Sequence, residues 1–145
     1  MSKILGLDLG TTTLGIACTD AISIAAHGRE TFRFETGNFK KAREHVLEIC
    51  QNEGINEIVL GVPYYESGDL SPHAKSCLRF KEDLLIANKD LIIHEIDESY
   101  STIDADEKLQ EMNLSYEKRK ALVDEYAAVV ILERYLRKME EQKVN

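Results

Sequence analysis

Three acidic residues stand where an acid is costly. Asp8 lies inside Ile4-Leu5-Gly6-Leu7-Asp8-Leu9-Gly10, a run otherwise suited to burial, and an ionised carboxylate there needs a cation or strong donors to offset its desolvation. Glu98 follows the apolar stretch Ile92-Ile93-His94-Glu95-Ile96, which puts it at a strand's C-terminal end, the edge of an α/β sheet where ligands sit. Asp124 has Ala121, Ala127, Ala128 and Ile131 at helical spacing around it, so on a helix it faces apolar company. Ala127 to Leu132 is apolar all round, however, and periodicity alone does not choose Asp124 over Glu125. Taken singly, each acid is an ordinary cap, salt-bridge partner or turn residue. Brought together, they would repel one another and raise their own pKa values unless divalent cations lay between them. Mg²⁺ or Mn²⁺, hard ions that take oxygen ligands, suit such a cluster. A pair of such ions activates water and stabilises the leaving oxygen in phosphodiester hydrolysis.

The elements that would carry these acids follow from periodicity and turn chemistry. Lys3 to Leu9, Leu14 to Thr19 and roughly Ile22 to Phe34 are rich in Thr, Gly and β-branched residues and lack helical spacing, so they read as three successive antiparallel strands. Phe39, Ala42, Val46, Ile49 and Cys50 mark one face of a helix that Gly54 stops. Ile58-Val59-Leu60-Gly61-Val62, closed by Pro63, reads as a central strand covered on both faces. After a polar loop from Tyr64 to Leu70, Ser71-Pro72 starts a second helix whose apolar face is Ala74, Cys77, Leu78, Leu84 and Leu85, interrupted by Lys81. Leu91 to Ile96 is a further strand. Ser101-x-x-Asp104 resembles a capping box opening a short helix through Met112, and a long helix runs from Ser115 to about Glu140. The order β-β-β-α-β-α-β-α-α predicts an α/β fold: a mixed five-stranded sheet, three antiparallel strands followed by parallel additions through right-handed crossovers, flanked by helices.

Composition bounds the function. With 145 residues, 43% hydrophobic and 30% charged, the chain is expected to form one globular domain over residues 1–145 with a core that needs no disulfide or structural metal. Lys+Arg 18 against Asp+Glu 26 gives a net charge of −8, which disfavours a protein that coats nucleic acid non-specifically. Cys18, Cys50 and Cys77 are odd in number and form no CxxC, so they are expected as buried, reduced thiols. No apolar run approaches the roughly 18 residues of a membrane span, and the expected location is the cytoplasm with no membrane partner.

Leu7-Asp8-Leu9-Gly10 with Gly15-Ile16-Ala17 and Thr19-Asp20, Gly61-Val62-Pro63, Asp97-Glu98 with Ser101-Thr102, and Asp124 with Ala127-Ala128 occur in order from about Lys3 to Leu136. This ordered set resembles the YqgF-type family of Holliday-junction resolvases, also described as pre-16S rRNA nucleases. The resemblance implies a ribonuclease H-like fold and metal-dependent phosphodiester cleavage. It also implies a cytoplasmic role in maturing the 5′ end of small-subunit rRNA, with pre-rRNA favoured over a DNA junction as the nucleic-acid partner. Residue by residue, Asp8, Glu98 and Asp124 match the family's acidic triad, which would be both catalytic and metal-holding. Family members often carry basic residues shortly after the Asp-x-Gly and an Arg directly after the Asp-Glu pair. This chain has Thr11-Thr12-Thr13 and Ser99-Tyr100 instead.

Phosphate contact must then come from elsewhere. The candidates are Lys40, Lys41 and Arg43, then Arg79 and Lys81, and first among them Lys118-Arg119-Lys120, one turn before Asp124. Such clusters are also ordinary solvated helix faces. Tyr64 and Tyr65 follow Pro63, where a ring could stack on an unpaired base or pack on its own domain. His27, His45, His73 and His94 show no His-x-x-x-His spacing and are left out of the site, His94 being expected as hydrogen-bonded scaffold.

Two readings of other classes compete. Asp8-Leu9-Gly10-Thr11-Thr12 also resembles the first phosphate motif of actin-like ATPases, but the chain has neither the second Asp-x-Gly nor the Gly-Gly adenosine motif of those proteins. A catalytically weak RNA-binding or assembly factor on the same fold is the other alternative.

Overall fold

The computed structural model describes residues 3–20, 25–64 and 69–144. Five strands, β1 (Ile4–Leu9), β2 (Thr13–Thr19), β3 (Ala26–Arg33), β4 (Glu57–Val62) and β5 (Ile92–Asp97), form one sheet in the order β3-β2-β1-β4-β5. The helices are α1 (Phe39–Glu53), α2 (Pro72–Ala87), α3 (Ser101–Glu111) and α4 (Tyr116–Val144). The first three strands pair antiparallel, and β4 and β5 add parallel to β1 through α1 and α2, as the alternation in the sequence requires. The part of the expected third strand before Ala25 lies outside the described residues.

Local signals set most boundaries. Gly54 ends α1 in the left-handed conformation, with φ 66°, a geometry open to a residue without Cβ. Ser71 Oγ accepts from the Ala74 amide at 3.0 Å, with Pro72 in the first turn of α2. Ser115 Oγ accepts from the Lys118 amide at the start of α4. The capping box expected at Ser101 is absent. Tyr100 occupies the cap position with φ 63° and Ser101 is already helical and buried. Asp104 is drawn instead to Arg134, 2.7 Å away.

The period-2 alternation of the strands separates two cores. Leu5, Leu7, Leu9, Leu14, Ile16, Ile58 and Leu60 face Ala42, Val46, Ala74, Cys77, Phe80 and Leu84 of α1 and α2. Ile4, Ala17, Val59 and Ile96 face Ala128, Ile131, Leu132 and Tyr135 of α4. The face covered by α4 is lined with small residues because the helix lies unusually close. A Cβ on Gly6 would stand 2.9 Å from the Ala128 carbonyl oxygen, and one on Gly61 2.5 Å from Ile131 Cδ1. On Gly15 it would stand 2.0 Å from the Asp124 carbonyl oxygen. Three glycines on three adjacent strands thus seat α4 and fix its height over the sheet.

Candidate active site at the strand ends

Asp8 is the fifth residue of β1 and its alternation points it to the α4 face, unlike Leu7 and Leu9 on either side. Its cross-strand partner is Gly15, the glycine on which the backbone of Asp124 rests. That register brings Asp124 of α4 beside Asp8, and the negative charge of Asp124 raises the Asp8 pKa. Glu125 goes elsewhere: a Cβ on Gly28 would meet its carboxyl group at 3.0 Å, which places it over β3. The choice that periodicity leaves open is thus made by two glycines on neighbouring strands.

Glu98 follows β5 directly and is buried at 9% exposure. The Glu98 amide donates to the Val62 carbonyl at 3.2 Å, extending the β4–β5 ladder by one residue, and its own carbonyl accepts from Ser101 N at 2.9 Å. Ser99 closes a tight turn, its amide and hydroxyl both donating to Asp97 Oδ1 at 3.0 and 2.7 Å. Arg134 of α4 locks this connection from outside. Its guanidinium donates to the carbonyls of Asp97 and Ser99, the residues flanking Glu98, at 2.9 and 3.0 Å, and to Asp104 Oδ2 at 2.7 Å. The Arg134 charge reaches Glu98 from α4 and lowers the Glu98 pKa.

The Asp8 and Glu98 carboxyl groups hydrogen-bond to each other. Burial raises both carboxyls, Glu98 to about 10, and the Asp8 charge adds to the rise at Glu98. The direct bond favours the charged form of Asp8 and the protonated form of Glu98, so the two titrate as a pair. Among the described residues, no lysine or arginine forms an ion pair with Asp8, Glu98 or Asp124. Carboxylate oxygens that repel one another, with no lysine or arginine in contact with them among the described residues, are the chemistry a hard divalent cation relieves. The oxygen donors fit a divalent metal ion.

Asp8 and Glu98 line an open cleft of about 450 Å³ together with Gly10, Pro63, His73, Tyr100, Thr102 and others. His73, set aside in the sequence, belongs to this cleft: its Nε2 donates to the Leu9 carbonyl at 2.7 Å and its charge lowers the Asp8 pKa. The usable signal was its spacing to Cys77, one helical turn along α2. Tyr100, 67% exposed, stands on the rim of this cleft.

The basic and aromatic candidates divide. Lys118 and Lys120 are exposed on α4, and Lys120 borders a groove between α3 and α4 that shares Thr102 and Ile103 with the cleft. Arg119 is held within the fold by Asp106 at 3.3 Å and the Leu114 carbonyl at 3.1 Å. Arg43 pairs with Asp83 and Lys81 with Glu95, while Lys40, Lys41 and Arg79 are exposed. Tyr64 packs against the α1/α2 core and its hydroxyl donates to Glu95 at 2.7 Å, so its ring serves the domain's own packing. Tyr65 lies outside the described residues. His94 is scaffold as expected, bonded to Glu57 at 2.8 Å and stacked on Tyr135. Cys50 and Cys77 are buried free thiols and Cys18 is half-buried.

Comparison with known proteins gives the family and the fold. The family model RuvX, described as Holliday junction resolvase, matches residues 2–138. A Staphylococcus aureus (strain bovine RF122 / ET3-1) protein named "Putative pre-16S rRNA nuclease" is 36% identical over 134 residues, covering 92% of this chain and 94% of its own length. The strain JH9 protein of the same name is 35% identical over the same span. Among solved structures, T. thermophilus RuvC in complex with Holliday junction substrate superposes with a TM-score of 0.61 at 15% identity, covering 95% of this chain and 96% of that one. The fowlpox virus Holliday junction resolvase gives 0.59 at 15% identity, covering 94% and 99%. At that identity the likeness shows the fold, which is ribonuclease H-like. Among the described residues, no helix is long and apolar enough to cross a membrane.

Proposed function

Because the chain belongs to the RuvX family of Holliday junction resolvases, we propose that it is a metal-dependent nuclease hydrolysing phosphodiester bonds of structured nucleic acid. Its substrate on this reading is the 5′ end of pre-16S rRNA, processed in the cytoplasm by a single ribonuclease H-like domain spanning residues 1–145. The observation that carries the proposal is the pairing of Asp8 with Glu98 at the strand ends in an open cleft, with Asp124 near enough to Asp8 for its charge to act on it. RNA is preferred over a DNA junction because the relatives named for pre-16S rRNA are 35–36% identical, whereas the resolvases of known structure share the fold at 15%.

In the mechanism, Asp8, Glu98 and Asp124 are the residues that would hold one or two Mg²⁺ or Mn²⁺ ions. Such ions, when bound, lower the pKa of the attacking water and offset charge on the leaving oxygen. Arg134 holds the main chain on both sides of Glu98, and Gly15 sets the height of Asp124 over Asp8. Both spare the site the cost of assembling itself during turnover. Exposed Lys118 and Lys120 attract the phosphate backbone towards the groove that continues into the cleft. The Tyr100 ring at the rim offers a face on which an unpaired base stacks. No covalent intermediate is needed.

The deciding experiment incubates the purified protein and Mn²⁺ with a precursor rRNA fragment, single-stranded RNA and a four-way DNA junction in parallel. Cleavage of the precursor fragment that EDTA abolishes is the expected result. Cleavage of the junction alone would assign the resolvase activity instead. Metal-independent binding without any cleavage would make the chain an assembly factor.

A further inference from the structure

Helix α2 brings two softer donors into the same cleft, and the hydrolytic reading uses neither. His73 and Cys77 are one turn apart, with Nε2 3.8 Å from Sγ. Together with a Glu98 carboxylate oxygen, these ligand atoms all lie within 4.8 Å of one another. His73 is not a surface side chain that happens to be near. Its Nε2 is held on the Leu9 carbonyl at the end of β1, which aims the ring inward, and Cys77 is fully buried beneath it. One imidazole, one thiolate and one carboxylate form the donor set of a borderline-soft ion such as Zn²⁺, with a fourth position left to water from the open side of the cleft. Mg²⁺ and Mn²⁺ gain little from a thiol.

We propose that His73, Cys77 and Glu98 form a second metal site, selective for Zn²⁺-class ions, which shares Glu98 with the acidic trio and therefore inhibits the nuclease when filled. Binding exchanges the His73–Leu9 hydrogen bond for a nitrogen–metal bond, with the ring left protonated on Nδ1, and the Cys77 proton and the proton held between Glu98 and Asp8 leave to solvent. Glu98 cannot serve both ions in full, so the two sites compete. The inhibitory consequence rests on the nuclease reading above, but the metal site itself does not.

Co²⁺, a spectroscopic stand-in for Zn²⁺, tests the site on the full chain without substrate. Wild-type protein is expected to develop a thiolate-to-cobalt charge-transfer band that Zn²⁺ displaces. Cys77→Ser should lose the band, and His73→Gln should weaken Zn²⁺ affinity by about tenfold or more, the scale on which even outer-shell changes act, each with an unchanged circular-dichroism spectrum. Should Cys77→Ser fail to fold, His73→Gln carries the test by its Zn²⁺ affinity alone. In the hydrolysis assay, Cys77→Ala should keep Mn²⁺-dependent cleavage and lose its inhibition by Zn²⁺. Absence of the band in wild type, a band that survives in Cys77→Ser, or undiminished Zn²⁺ inhibition of Cys77→Ala would overturn the proposal. A Cys77-dependent band in a protein that cleaves none of the three nucleic acids would leave this site standing and remove the nuclease reading instead.

Discussion

Adding one methyl group at Gly15, the cross-strand partner of Asp8, should disable the site by displacing Asp124. The Cβ of Gly15→Ala would stand 2.0 Å from the Asp124 carbonyl oxygen and 2.7 Å from its carbonyl carbon, and real Cβ atoms essentially never come closer than 3.0 Å. Both neighbours are backbone, which has no rotamer to yield, so α4 must withdraw by about 1 Å at the turn that carries Asp124. Overpacking of this kind costs about 1–3 kcal/mol, which for a chain of this size lowers Tm by about 3–10 °C. The larger effect is on turnover, because a misplacement of about 1 Å in catalytic geometry costs on the order of 100-fold. Single-turnover cleavage in Mn²⁺, measured well below Tm, reads that loss separately from stability. Gly54→Ala is the control: with φ 66° and nothing within 4 Å of its Cβ, it should cost about 1 kcal/mol of stability and leave the rate alone. Wild-type turnover in Gly15→Ala, whatever its Tm, would refute the claim that the glycine sets the Asp124 position.

Further outcomes follow from other contacts. Arg134→Ala removes three hydrogen bonds from the connection around Glu98 and should weaken Mn²⁺ binding by about 10–100-fold, as loss of an outer-shell support does; isothermal titration with an unchanged Kd would show that the clamp is idle. Asp124→Asn should lose at least about 100-fold in rate while Glu125→Gln, whose side chain lies over β3, stays within about twofold of wild type; equal losses in the two would contradict the assignment. Lys81 beside Glu95 holds that carboxyl below its usual value of 4.5. A lowered folded pKa contributes stability above the unfolded value and loses it as pH falls through the folded one. The stability advantage of wild type over Lys81→Met should therefore be full at pH 6 and shrink below about pH 4.5, as urea titrations at the two pH values would read.

Much of this was written in the order of residues, and the exceptions share a cause. Asp8 and Glu98 were visible because each interrupts or ends an apolar strand, and strand ends map directly onto a sheet edge. Asp124 against Glu125 was not visible in one dimension, because the deciding contacts are Gly15 and Gly28 on two other strands. The mixed sheet followed from alternation of strand and helix, and the Ser71-Pro72 start of α2 from local capping. The Ser101 capping box failed because a tertiary partner, Arg134, competes for Asp104 across 30 residues. Arg119 and Tyr64 carried the right chemistry for nucleic acid, but Asp106 and Glu95 engage them within the fold. His73 stands outside any His-x-x-x-His spacing, and its partner one helical turn along is a cysteine, whose approach only the folded helix shows.

The central claim is that three carboxylates far apart in sequence jointly hold a divalent ion. Mn²⁺ binding to the substrate-free protein, followed by electron paramagnetic resonance in wild type and in Asp8→Asn, Glu98→Gln and Asp124→Asn, tests it without any assumption about substrate. The account predicts saturable binding in wild type and an affinity loss of about tenfold or more in each variant. Wild-type affinity in all three variants would contradict it.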